Sequence, residues 1–234
     1  MRLQAQLPFV GVPQGLDRRV LQLAGLSGFL AGALIVAGLI LTLTVPASVL
    51  LSQESFFQSS PETKATILTI GRIGYIAPLP YIPFLVALYE SLKKTKSVSA
   101  LLGIILGVAA AATFTIYFHG VLSTLFSLSD RYANATPSEQ TTVVIAGLAA
   151  GGVLNGLLVG GVYFLGLSFI SFGVSALGNA AFRKGFGWLG VVLGIAVVAV
   201  ALPFVPVSVL FSFPLWAAFS IVFGGKVYNL SRTT

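Results

Sequence analysis

The sequence contains no cysteine and a single histidine, His119, and each shortage excludes particular kinds of catalytic and metal site. Without cysteine the chain forms no disulfide, no thiolate nucleophile, no iron–sulfur cluster and no cysteine-ligated zinc site. One histidine does not supply the ligands of a bis-histidine haem or a three-histidine zinc centre. The sequence also lacks a Walker A motif for nucleotide phosphates. We therefore expect no enzyme activity, no cofactor and no metal site.

Charged residues make up only 8% of the chain, whereas hydrophobic residues make up 56%. A soluble domain carries about 25% charged residues. So few charges do not cover a water-facing surface, and the mean hydropathy of +0.99 points to a lipid environment. The 26 glycines fit helices that pack closely in lipid, where small residues line the contacts. The composition predicts an integral membrane protein.

Six apolar runs are long enough to cross a bilayer, which takes about 20 mostly apolar residues per helix. They cover residues 21–45, 65–91, 98–124, 141–170, 186–204 and 207–228. We predict an all-α, polytopic membrane helix bundle with six transmembrane helices over residues 21–228. Residues 1–20 are predicted to be a cytoplasmic N-terminal segment, and residues 229–234 a cytoplasmic tail. The first run is interpreted as an uncleaved helix, because the apolar stretch before Arg18 is too short for a signal peptide.

The region 141–182 permits two interpretations. Its 42 residues hold either one long helix or two minimal helices joined at Gly160-Gly161. Two helices would move the later basic residues to the outer side of the membrane, against the positive-inside bias. We therefore favour a single helix.

The basic residues are distributed unequally between the two sides of the predicted bundle. Ten lie on the side of the termini: Arg2, Arg18, Arg19, Lys93, Lys94, Lys96, Arg183, Lys184, Lys226 and Arg232. Three lie on the other side: Lys64, Arg72 and Arg131. Because cytoplasmic loops carry an excess of lysine and arginine, we predict a multi-pass protein of the cell membrane with both termini cytoplasmic. We attribute the net charge of +7 to basic residues that mark the cytoplasmic side of the membrane, and we therefore expect no nucleic-acid partner.

Glycines recur at four-residue spacing in the fourth run. Pairs such as Gly147/Gly151 and Gly156/Gly160 place small residues on one face, where helix backbones approach closely. Asn155 lies near mid-membrane and needs an interhelical hydrogen-bond partner there. We expect Gly147, Gly151, Asn155 and Gly156 to pack helices at the centre of the bundle, with a homodimer face as the alternative.

Arg72 is the most unusual charged residue, because its neighbours in sequence are almost all apolar. It lies about 10 Å into the second helix. An arginine at this depth snorkels to the interface, pairs with an acid or faces water. One interpretation is contact with an anion or a substrate. The other is snorkelling to the outer interface, or pairing with Glu54, Glu62 or Asp130.

Three prolines follow in the same helix, at Pro78, Pro80 and Pro83. Each lacks a backbone donor and crowds the preceding turn. We expect the helix to break or unwind near mid-membrane, which is where transporters place their binding sites. This segment would then border a polar cavity reached from the outer side, with Tyr75 and Tyr81 in its lining. A static kink filled by neighbouring side chains is the alternative.

Several segments of the chain are similar to one bacterial family. The loop after the third run reads Leu128-Ser129-Asp130-Arg131-Tyr132-Ala133-Asn134-Ala135, followed by Thr136-Pro137-Ser138-Glu139-Gln140. The second run ends in Ala87-Leu88-Tyr89-Glu90-Ser91-Leu92, and the fifth is preceded and opened by Arg183-Lys184-Gly185-Phe186-Gly187-Trp188-Leu189-Gly190. These segments resemble the bacterial membrane proteins grouped as domain of unknown function 4386. The resemblance implies a six-helix fold and no established activity, and it transfers no catalytic residue.

These observations favour a non-catalytic integral membrane protein, either an accessory subunit of a membrane complex or a lipid- or ligand-binding bundle. The alternative is a small transporter or channel that uses the proline-broken second helix and Arg72. The expected partners are membrane lipids, with other membrane subunits or a homodimer as further candidates.

Overall fold

The computed structural model describes residues 18–202 and 210–232. These residues form helices with short connections and no β-strand. The helices are α1 (Arg18–Thr42), α2 (Ala47–Leu51), α3 (Gln53–Phe57), α4 (Pro61–Ile76), α5 (Pro78–Leu92), α6 (Ser97–Gly120), α7 (Phe126–Ala133), α8 (Pro137–Leu177), α9 (Lys184–Ala201) and α10 (Ser212–Leu230). A π-helical turn, Val121–Leu125, joins α6 to α7. The all-α prediction is confirmed for the described part of the chain.

Five helical stretches are long and apolar enough to cross a membrane: Arg18–Thr42, Pro61–Leu92, Ser97–Ala133, Pro137–Leu177 and Lys184–Ala201. They correspond to the first five predicted runs and support a multi-pass membrane protein. The 19-residue helix α10 is not among them, because polar residues such as Lys226 and Asn229 lower its hydropathy. The count of six spans therefore stays a prediction. Residues 207–209 of the sixth run and 1–17 of the N-terminal segment lie outside the described residues.

The region 141–182 forms one helix rather than two, because α8 runs unbroken from Pro137 to Leu177. A capping box fixes its start: the Glu139 carboxylate accepts a hydrogen bond from the Thr136 backbone N–H at 2.8 Å. Proline at the first helical position is pre-organised for the same turn. With 41 residues the helix is about 60 Å long, roughly twice the hydrocarbon thickness, so it extends beyond the bilayer.

The long helices form a closed ring in which each packs against its neighbours in the chain. Helix α1 packs on α4 and α5, α5 on α6, α6 on α8, and α8 on α9, while α10 closes the ring between α9 and α1. Neighbours run antiparallel, as at α1 and α10, where Gly25 lies beside Tyr228 and Gly32 beside Ala217. The connections between helices therefore lie at the two ends of the ring.

Two helix pairs approach so closely that their backbones touch. At the α8–α9 contact, a Cβ placed on Gly173 would lie 2.5 Å from the Val191 backbone nitrogen. At the α1–α10 contact, a Cβ on Gly25 would lie 2.8 Å from the Tyr228 backbone nitrogen. Only glycine fits at these distances. Because lipid gives no hydrophobic drive for helix association, close packing of this kind has to hold the ring together.

Only part of the glycine pattern predicted on α8 takes part in packing. A Cβ on Gly147 would meet Phe57 at 2.8 Å and one on Gly151 would meet Gln53 at 2.9 Å, so both glycines contact α3. A Cβ on Gly156 would meet no atom within 4 Å, and Asn155 is exposed. The expectation that Asn155 and Gly156 pack helices at the centre of the bundle is wrong, because Gly156 has open space beside it and the Asn155 side chain is exposed.

The charges separate between the two ends of the ring. The end at which α1, α6 and α9 begin, called the basic end, carries Arg18, Arg19, Lys93, Lys94, Lys96, Arg183, Lys184, Lys226 and Arg232. The described acid at this end is Glu90, and it forms an ion pair with Lys93. The opposite, acidic end carries Glu54, Glu62, Asp130 and Glu139 together with Lys64 and Arg131. The fold thus keeps the predicted basic clusters on one side.

Aromatic side chains fill the middle of the ring and its basic half. This aromatic plug consists of Tyr81, Phe84, Phe114, Phe169, Trp216, Phe219 and Phe223, none of which is more than 1% exposed. The ring of Phe169 stacks on that of Phe219 with 3.8 Å between centroids, and Phe219 stacks on Phe223 at 4.3 Å. Offset and stacked pairs of this kind add to the dispersion gained by close packing.

We expect Gly173→Leu to lower the melting temperature of the protein in detergent, because the new side chain collides with the α9 backbone. Overpacking of this kind costs about 1–3 kcal/mol or more. Gly156→Leu is the matched control and should leave the melting temperature nearly unchanged, since nothing lies within 4 Å of the position. Thermal unfolding followed by circular dichroism measures both. Equal melting temperatures would contradict the packing described for α8 and α9.

Candidate functional site

The acidic half of the ring contains a cavity of about 700 Å³ that is partly open to the surroundings. It lies between α1, α4, α6 and α8, with α2 and α3 at its outer rim and the start of α10 at its inner end. Sites for small molecules and cofactors typically measure about 300–1,000 Å³. The interior of the ring is therefore divided into an aromatic plug and a cavity of ligand size.

The wall of the cavity is mostly apolar. Leu39 of α1, Ile70 of α4, and Leu154 and Leu158 of α8 contribute aliphatic side chains. Glu54, at the outer rim, is the single carboxylate of the lining. Such a wall suits an apolar molecule and disfavours a hydrated ion, whose charge it does not compensate.

Trp216 forms the inner end of the cavity and belongs to the plug as well. Its indole stacks on the ring of Phe114 at 4.9 Å and meets the ring of Tyr81 edge-on at 5.3 Å. The tryptophan is 1% exposed. Within the described residues, the cavity is therefore closed toward the basic end and does not continue as a pore.

Two buried polar atoms of cavity-lining residues have no hydrogen-bond partner within the described ranges. They are Gln53 Oε1 near the outer rim and Trp216 Nε1 at the inner end. Leaving a buried donor or acceptor unpaired costs about 1–3 kcal/mol. Tyr117 and Asn155 add a hydroxyl and an amide to the lining.

The cavity lies against one face of α4, and Arg72 is not on that face. Gly71, Gly74 and Ala77 line the cavity, whereas Arg72 is exposed on the outer surface of the bundle. Successive residues of a helix point about 100° apart, so neighbours in sequence face different sides. Arg72 therefore does not contact a ligand held in this cavity. Its exposed position fits snorkelling to the outer interface.

The proline segment does not unwind the second membrane helix. Ala77, between α4 and α5, keeps helical dihedrals (φ −55°, ψ −35°), and its N–H donates to the Ile73 carbonyl oxygen at 2.8 Å. The fixed φ of proline is compatible with a helix, and Pro78 occupies the start of α5, where its missing donor is not needed. The predicted unwinding is wrong, because the prolines interrupt hydrogen bonds without breaking the helical path.

The other predicted site residues are dispersed. Tyr75 is 39% exposed, and its ring lies 6.0 Å from that of His119 on the outer surface. Tyr81 is buried in the aromatic plug. The prolines lie outside the cavity wall, as buried Pro78, half-buried Pro80 and exposed Pro83. The structure does not bring these residues together in one site.

Of the predicted site residues, Gly151 and Asn155 of α8 line the cavity, whereas its other residues were missed in the sequence. Gly71, Gly74 and Ala77 recur every three residues, which places small side chains on one helix face, and this signal was present. Gln53 lies in a connection and Trp216 in the last apolar run. No pattern in the sequence relates these two positions, because only the closure of the ring brings α3 and α10 to the same cavity.

The start of α9 carries a G-x-G-x-x-G spacing, at Gly185, Gly187 and Gly190. In dinucleotide-binding folds this pattern follows a β-strand, and residues 18–202 and 210–232 form none. Gly187 and Gly190 instead contact Leu177 and Gly173 of α8. The spacing therefore serves helix packing.

No protein-family model matches the chain, and no curated protein or solved structure is significantly similar to it. The class of protein is therefore defined by the structure alone, as a multi-pass helical membrane protein with an apolar cavity. The resemblance to domain of unknown function 4386 stays a prediction.

Replacing Gln53 by methionine, which has a similar length, removes an unpaired buried oxygen. We expect the free energy of unfolding of the ligand-free protein to rise by about 1 kcal/mol. Gln58 is the control, because its amide donates to the Tyr132 hydroxyl at 3.0 Å and to the Glu54 carboxylate at 3.2 Å, so Gln58→Met should lower stability. Unfolding in detergent after delipidation measures both variants. A loss of stability in both would mean that Gln53 Oε1 is satisfied inside the protein.

Proposed function

We propose that this protein is a non-catalytic membrane bundle that binds a lipid or another apolar ligand in its cavity. The observation that supports this most is the cavity of about 700 Å³, with its apolar wall and closed inner end. At the outer rim the lining is polar and includes Ser52 and Gln53. This arrangement suits an amphiphile whose apolar part points inward.

The composition of the wall decides which kind of occupant the cavity favours. Ordered water needs two to four polar partners per molecule, and the inner wall offers few. The apolar wall therefore favours an apolar molecule over water as the occupant.

The lining also supports a role without catalysis. General acid–base chemistry requires a positioned donor and acceptor of protons near the reacting group. The lining carries Glu54 as its single carboxylate, at the rim, and His119 lies outside the cavity on the outer surface. An accessory role in a larger complex remains compatible with this proposal, because the exposed α8 face around Val153 and Gly156 is open to a further subunit or a second copy.

The second candidate function is a small transporter. The α4–α5 junction at Ala77 lies at the cavity wall, and the prolines beside it remove hydrogen bonds that would stiffen the helix. Transport toward the basic end would require the aromatic plug to move, however. Arg72 lies outside the cavity and gives no support to this alternative. We therefore prefer the binding bundle.

We further propose that α10 is the sixth transmembrane helix and that the basic end is cytoplasmic. The support is the antiparallel packing of α10 on α1 and the burial of its residues Trp216, Phe219 and Phe223 inside the ring. The excess of basic residues at one end is the usual mark of the cytoplasmic side.

Single cysteines in this cysteine-free chain test the topology. Cysteines at Lys94 and Arg232 should resist an impermeant thiol reagent in intact cells and react after permeabilisation, whereas a cysteine at Glu139 should react in intact cells. Labelling at Arg232 without labelling at Lys94 would show that α10 does not cross. Labelling at Lys94 in intact cells would reverse the proposed orientation.

A cavity-filling substitution tests the proposed function. Gly38 lines the cavity, and a Cβ there meets only Ile73, at an ordinary 3.5 Å. We expect Gly38→Phe to leave the fold intact and to weaken lipid retention by about tenfold or more, a free-energy change of about 1.4 kcal/mol or more. Native mass spectrometry of the purified protein counts the lipids retained per chain.

Gly156→Phe is the control, because it adds the same side chain to an exposed position outside the cavity. It should retain as much lipid as the unmodified protein. Equal retention by Gly38→Phe, Gly156→Phe and the unmodified protein would refute lipid binding in the cavity.

A further inference from the structure

The basic end contains three cations, Arg183, Lys184 and Lys226, that have no ion pair with any acid of residues 18–202 and 210–232. Arg183 and Lys184 lie at the start of α9, and Lys226 lies in the last turns of α10. The Lys226 ammonium lies beside the rings of Phe182 and Phe186, which flank Arg183 and Lys184 in the sequence. Of the described acids only Glu90 lies at this end, and it pairs with Lys93. Like charges near one another repel unless an anion lies between them.

Two aromatic rings hold the Lys226 ammonium in place. Its Nζ lies 5.8 Å from the ring centroid of Phe182 and 5.8 Å from that of Phe186. This is within the range of cation–π attraction. Lysine normally extends its ammonium into water, but the Lys226 side chain stays half-buried beside these rings. The ammonium is therefore held near Arg183.

The connection between α8 and α9 fixes the position of Arg183. The Asn179 side-chain amide donates to the Ser91 carbonyl oxygen at 3.1 Å and to Thr95 Oγ1 at 2.9 Å. Its oxygen accepts the Ala181 backbone N–H at 2.9 Å. These bonds tie the connection to the end of α5 and the turn that follows it. The cations thus have defined positions relative to one another.

The cluster lies at the depth of lipid headgroups. Trp188, one turn further along α9, is 59% exposed, and tryptophan is enriched at the membrane–water interface. The backbone of the first turn of α9 is also accessible, because a Cβ on Gly185 would meet no atom within 4 Å. The N–H groups of this turn add to the positive potential that the side chains create.

From this geometry we propose that Arg183, Lys184 and Lys226 form a binding site for a phosphate group at the basic end. A membrane surface supplies that group as the headgroup of an anionic phospholipid, and the adjacent solution supplies it as free phosphate. The site is distinct from the cavity, which lies in the acidic half, and does not rest on the function proposed for it.

The test compares two double variants that remove the same charge. Arg183→Gln/Lys226→Gln removes two cations of the site, whereas Lys94→Gln/Lys96→Gln removes two exposed cations elsewhere at the basic end. A cation near an anionic surface contributes about a fivefold gain in affinity, so the first variant should bind phosphatidylglycerol about 25-fold more weakly. The control should lose clearly less. Lipid titrations of the purified protein, read by native mass spectrometry and by the shift in melting temperature, measure the binding.

Further measurements identify the source of the phosphate group and show whether a loss of binding reflects misfolding. Phosphatidylglycerol should bind more tightly than phosphatidylcholine, and competition by inorganic phosphate would show that free phosphate also enters the site. Lys226→Arg keeps the charge and the ring contacts and should bind as the unmodified protein does. Equal losses in the two double variants would overturn the proposal in favour of a diffuse surface charge. Equal binding of the two lipids would overturn it as well.

Discussion

Backbone contact at glycine between antiparallel helices is the constraint on which the rest of this structure depends. In lipid the helices gain nothing from hiding apolar surface, so they are held by close packing and by the few polar contacts between them. Gly173 against α9 and Gly25 against α10 allow approaches that any side chain would prevent. These contacts close the ring and set the position of α10, and the position of α10 in turn places Trp216 at the boundary between plug and cavity.

The plug and the cavity are two consequences of the same ring. In the basic half, stacked rings from α8 and α10, such as Phe169 and Phe219, fill the space between the helices. In the acidic half, small residues such as Gly38 and Ala77 face the interior, and the space stays open. The closed inner end favours holding a molecule over conducting one.

The sequence predicted the features that depend on composition and missed those that depend on which way a side chain points. Long apolar runs and clustered lysines are properties of the chain itself, so the helices and the separation of charge were readable. Arg72 and Gly71 are adjacent, yet one faces outward and the other lines the cavity. Gly156 and Gly173 both fit small-residue packing, but only Gly173 meets a partner helix. Spacing alone does not reveal which helix lies beside which face.

The fluorescence of Trp216 tests the central claim most directly. The chain has two tryptophans, so Trp188→Phe leaves Trp216 as the single emitter at the inner end of the cavity. Trp216 is buried from the outer surface and lies at the inner end of the cavity, so a bromine-labelled acyl chain in the cavity comes closer to it than one in the surrounding bilayer. The account predicts saturable quenching by brominated lipid and resistance to iodide in water. Quenching by iodide without quenching by brominated lipid would show a water-filled cavity and contradict the account.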